Sequence, residues 1–257
     1  MKVVGVILVV LLLLCGIVAG LGWYGYSKAK SGDLSFLSKL GFLNKGTSTD
    51  LEITFTEKEA QDFMETIETG AKVLTADSPE CKSMSCVPGT PIYVGTQTVS
   101  TTLSNSQGTA LINEWIRFAP NAPFTSGQMR VNADGTVDFA GIVDMNQVQK
   151  FGTATNVPAA TMNIITKYVG SLGGTFPLKA SGTLTVKNNA VNANFSSVSV
   201  GIIPVPGTLM SRYKGEVNSF LEDRLAVVKG LSIEELSFGD GKTTFKGTVP
   251  KQIYFVK

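Results

Sequence analysis

Residues 3–22 form an unbroken run of apolar and small side chains, and no other feature narrows so far what this chain can fold into. As a helix, a run of that length reaches about 30 Å, the thickness of a bilayer's hydrocarbon core. Trp23, Tyr24 and Tyr26 follow where aromatic rings settle at a membrane interface. A buried core helix is the blander alternative, but an uncharged run this long beside Lys2 speaks for a membrane segment. Val18-Ala19-Gly20 would suit a processing site, yet the run exceeds the roughly 7–15 apolar residues of a signal peptide. The expectation is a retained transmembrane signal anchor over residues 1–26, with the membrane as partner through residues 3–22.

Charge does not orient that span, because Lys2 on one side is answered by Lys28 and Lys30 on the other. The layout does: one span, then a β-rich domain, predicts a single-pass protein of the cell membrane with its C-terminal domain extracytoplasmic. Residues 27–50, mixing Gly, Ser, Lys and Thr with spaced Leu and Phe, read as a juxtamembrane linker. Residues 51–257 read as the extracytoplasmic α+β domain. Cys81 and Cys86 in "ECKSMSC" are the cysteines outside the span. They close a small disulfide loop in an oxidising compartment or stay two free thiols in a reducing one, and the exported layout speaks for the disulfide.

The chain contains no histidine, which removes Ser-His-Asp and Cys-His nucleophiles, HExxH zinc helices and imidazole proton shuttles. Its formal net charge is +2 with no run of like charge, so nothing marks a nucleic-acid partner. No metal site and no cofactor are expected.

Along the domain, Leu51, Ile53 and Phe55 alternate like a strand, and Thr56 with Glu59 forms a capping box ahead of a helix carrying Ala60, Phe63, Met64 and Ile67 on one face. "PIYVGTQTVSTTL" reads as a strand and "INEWIRFAP" as a short helix closed by Pro120. Hairpins are expected around residues 132–135, at Asn188-Asn189 and at Gly239-Asp240-Gly241. "PAATMNIITKYVGSLGG" reads as another helix, with Met162, Ile165 and Val169 on one stripe. In "VGIIPVPGTLMSRYKG", Pro204 should end a strand for want of an N–H, and Pro206 presets the first turn of a helix. Leu209, Met210, Tyr213, Val217, Phe220, Leu221, Leu225 and Val228 then recur at helical spacing, opposite Arg212, Lys214, Glu222 and Asp223. The fold expected is α+β: an N-terminal transmembrane helix, then a bent antiparallel β-sheet wrapped around one long amphipathic helix.

This order of span, "ITFTEKEAQDFM", an "F-x-x-V-x-V-G-x-I-P-V-P" strand, a long helix and a closing "I-E-E-L-S-F-G-D-G-K-T-T-F-K-G" hairpin resembles the YpmS-like family of membrane-anchored bacterial surface proteins. It is similar in layout to tubular lipid-binding (TULIP-like) domains over about residues 51–250. The resemblance implies an apolar groove between helix and sheet that takes up lipid or another hydrophobic molecule, with no catalytic residues. Its lining would come from Met162, Ile165, Leu209, Met210, Tyr213, Val217, Phe220 and Leu221.

The expected function is therefore a membrane-anchored, non-catalytic binding domain for lipid or another hydrophobic ligand at the cell envelope. The alternative is a structural or protein-docking ectodomain with an envelope protein as partner. Three sharper motifs are weaker: Ser211 and Lys214 spell S-x-x-K without its companion elements, Asn132, Asp134 and Asp138 offer too few calcium ligands, and the Asn194 sequon lies inside an expected strand.

Overall fold

The computed structural model describes residues 50–66, 70–84, 86–88, 91–119, 122–154, 174–201, 203–205, 207–212 and 214–256. In chain order these form α1 (Glu57–Thr66), β1 (Gly70–Leu74), α2 (Pro79–Met84), β2 (Pro91–Ser104), α3 (Asn105–Phe118), β3 (Phe124–Val131), β4 (Val137–Asp144) and α4 (Met145–Ala154). There follow β5 (Thr175–Lys187), β6 (Ala190–Val200), β7 (Ile203–Pro204), α5 (Gly207–Arg212), α6 (Lys214–Val227), β8 (Ser232–Gly239) and β9 (Lys242–Val256).

The strands make one branched sheet. Its main path runs β1-β9-β8-β5-β4-β3, with β2 added to β9 and the β6–β7 pair added to β5. Among the described residues only β1 with β9 is a parallel pair, so the sheet is mixed rather than purely antiparallel. The three expected turns are where the sequence places them: residues 132–136 join β3 to β4, Asn188 and Asn189 join β5 to β6, and Asp240 and Gly241 join β8 to β9. The last four residues all have positive φ, the backbone that Asn, Asp and Gly tolerate best.

Alternation along the strands puts Val99, Leu103, Phe139, Leu178, Leu184, Leu236, Phe245 and Val249 into one core, which α1, α3 and α6 cover with Phe63, Leu111, Trp115, Leu221 and Leu225. A second, small cluster of Leu74, Cys81 and Val256 is closed by α2.

Several expectations need correction. Among the described residues, 209–228 do not form one long amphipathic helix: residues 209–212 belong to the six-residue α5 and residues 214–227 make up the fourteen-residue α6. The physical reason is visible in α6, where the apolar and polar sides are not cleanly divided. Leu221 and Leu225 are buried but Val227 is 52 % exposed, while Asn218 and Glu222 hydrogen-bond to the sheet. The helix most enclosed by the sheet is α3, which buries residues from Gly108 to Trp115 along much of its length. It starts earlier than the expected "INEWIRFAP" helix because Ser104 and Gln107 form a capping box. Residues 51–56 form no strand, and Phe55 is 36 % exposed.

Among the described residues, no helix is long and apolar enough to cross a membrane. The longest, α3 and α6, have 14 residues each. That is about 21 Å of helix, against a hydrocarbon core of about 30 Å. The expectation of a single-pass transmembrane signal anchor and of placement in the cell membrane is corrected accordingly. Residues 3–22, which carry it, lie outside the described residues, as do the linker up to residue 49 and the helix expected around Met162.

Candidate functional site

The expected groove centres on the hinge from β6 into the helices, and the chain turns there differently from the sequence reading. β6 ends at Val200, and Gly201 makes the turn with a φ of 57° while its N–H donates to Pro177 O at 2.7 Å. Pro204 does not end that strand. With Ile203 it folds back antiparallel on Ser199 and Val200, and the Val205 N–H donates to Val198 O at 2.8 Å. A sheet margin suits Pro204, since among the described residues no further strand needs its missing N–H.

α5 and α6 then return along β6. The Val191 N–H donates to Glu222 Oε1 at 2.8 Å and the Ala193 N–H to Asn218 Oδ1 at 3.0 Å. Four helical residues rise about 6.0 Å and two strand residues about 6.8 Å, so side chains at i and i+4 on a helix match alternate amides on a strand edge. This polar seam fixes how α6 lies on β6. On the core side, Leu221 is 1 % exposed, whereas Phe195, Val205, Met210 and Val217 are half-buried and packed against the main core.

Of the expected groove residues, Met210, Val217 and Leu221 are thus gathered on the helix pair, with Leu221 serving as core. Leu209 lies in α5 and Phe220 in α6, but their side chains are not among those described. Met162, Ile165 and Tyr213 lie outside the described residues. Sequence reasoning missed Phe195 and Val205, and it assigned Glu222 to the solvent side. The four-residue spacing of Asn218 and Glu222 opposite a strand was the available signal.

Elsewhere, Cys81 and Cys86 are joined by a disulfide that holds α2 over Leu74 and Val256. Ser211 lies in the last turn of α5 and Lys214 opens α6, both exposed, so the S-x-x-K residues share no single helix. Asn132 Nδ2 donates to Asp138 Oδ2 at 2.9 Å, and Asp134 Oδ1 accepts from the Thr136 N–H and hydroxyl. These oxygens are used up in the hairpin, and among the described residues no group of three His, Cys, Asp or Glu is placed to hold a metal.

No family model matches the chain, and no curated protein or solved structure matches it. The likeness to YpmS-like and TULIP-like proteins rests on residue pattern alone.

Proposed function

We propose that this domain binds an apolar ligand without transforming it, where α5 and α6 meet the end of β6. One observation carries the reading: Phe195, Val205, Met210 and Val217 extend the core outward as half-buried side chains, beside a polar seam that holds α6 to β6. Met210 suits an adaptable lining, because an unbranched thioether repacks easily. The residue-pattern resemblance supports lipid or another hydrophobic molecule as the ligand class. The absence of histidine supports a role without catalysis.

The test is fluorescence titration of the full chain with cis-parinaric acid, a fatty-acid probe. Met210→Asp should weaken binding by more than about tenfold, equivalent to about 1.4 kcal/mol. Thr208→Asp, on an exposed position of α5, should leave it unchanged. Failure of the wild-type chain to bind, or equal binding by all three proteins, would overturn the proposal.

A further inference from the structure

A sheet margin offers unpaired N–H and C=O groups to any other strand, and folded proteins block it by covering it, shortening it or charging it. Among the described residues the sheet has four margins, and three of them are blocked. β3 is covered by α3: Asn105, Thr109 and Asn113 each hydrogen-bond both the N–H and the C=O of one residue, namely Val131, Met129 and Gly127. β6 is held by Asn218 and Glu222 and by its pairing with β7. β1 is five residues long and carries Lys72, ion-paired with Glu80.

β2 is the exception. It runs for 14 residues and pairs with β9 along one side, and among the described residues no strand pairs with its other side. Residues 98–104 contain no charge, no proline and no glycine, and are rich in Thr and Ser. Thr98, Ser100 and Thr102 are exposed. Nothing in that stretch does the guarding that Lys72 does for β1.

We propose that the open side of β2 over residues 98–102, up to the capped Ser104, pairs antiparallel with the same segment of a second copy of this chain. A two-fold axis at Ser100 sets Ser100 opposite its own copy and Thr98 opposite the copy's Thr102, so like charges at 98 and 102 would meet each other. The neutrality of the segment removes that penalty, and its β-branched residues suit a pleated pairing. Antiparallel pairing forms about one hydrogen bond per residue pair. A second copy is therefore the partner the segment fits without any new chemistry.

The experiment is sedimentation equilibrium of the full chain in non-ionic detergent. Thr98 and Thr102 lie opposite Thr248 and Thr244 on β9, with Lys246 diagonal to both, so the circular dichroism of each variant is read beside its mass. The wild type should sediment as a dimer, and Thr98→Lys/Thr102→Lys and Thr98→Glu/Thr102→Glu should each be monomers with unchanged circular dichroism. Mixing the two variants should restore a dimer. A monomeric wild type, variants that remain dimeric, or folded variants that stay monomeric on mixing would overturn the proposal. If either variant misfolds, Ser100→Glu, set opposite Lys246 within the chain, should be a folded monomer, and a dimer that survives it would count against the proposal.

Discussion

Asn105 grips Val131 at both ends of its hydrogen-bonding capacity: its Oδ1 accepts from the Val131 N–H at 2.7 Å, and its Nδ2 donates to Val131 O at 3.2 Å. One turn on, Thr109 repeats the contact with Met129 at 3.1 and 3.2 Å, and Asn113 repeats it with Gly127 at 3.3 and 2.6 Å. A helix here takes the place of a neighbouring strand. The approach has to be close, and a Cβ on Gly127 would lie 2.8 Å from Ile112 Cγ2.

Thr109 tests this arrangement cleanly, because it is fully buried. Thr109→Val keeps the shape, removes the hydroxyl, and leaves the Met129 N–H and C=O without their helix partner. Leaving buried polar groups unpaired costs about 1–3 kcal/mol. Urea denaturation should show a loss in that range, and an unchanged midpoint would mean the contact contributes nothing net.

Acid should loosen the packing of α1 on α3. The Glu59 carboxyl is held below its ordinary value, first by the Ser106 hydroxyl and then by the Thr56 N–H, with burial opposing. A depressed folded value means that the stabilisation is complete above the ordinary carboxylate pKa. It is lost as pH falls through the folded value. Urea midpoints measured from neutral pH downward should drop less steeply for Glu59→Gln than for the wild type. Parallel profiles would remove Glu59 from this role.

The Cys81–Cys86 disulfide should matter locally. It spans a sequence separation of 5, and chain entropy for so short a loop gives about 2 kcal/mol. Reduction should speed amide hydrogen exchange in α2 and over Leu74 and Val256, leaving β3–β5 protected. Uniform loss of protection would show instead that the small cluster supports the whole sheet.

What could be read from the sequence followed local rules. The Thr56–Glu59 capping box, the helix it opens and the three hairpin turns depend on residues within a few positions of one another. What could not be read depended on tertiary partners. The spacing from Leu209 to Val228 suggested one amphipathic helix, but spacing does not show that Asn218 and Glu222 face a strand margin instead of water. The same blindness hid α3 as the enclosed helix, since Asn105, Thr109 and Asn113 look like a polar face until β3 is set beside them. Of the residues expected to line a groove, Met210, Val217 and Leu221 pack in or against the core, as helical periodicity predicts. It does not say which buried residue remains within reach of a ligand.

If an apolar molecule is held beside Met210 and Val217, native mass spectrometry of the full chain, as purified and after organic extraction, should show it. The expected result is a bound mass that extraction removes and that Met210→Asp lacks while its hydrogen-exchange pattern in β3–β5 stays native. An apo mass for the wild type that does not change on incubation with lipid, or an adduct retained in full by Met210→Asp, would contradict it.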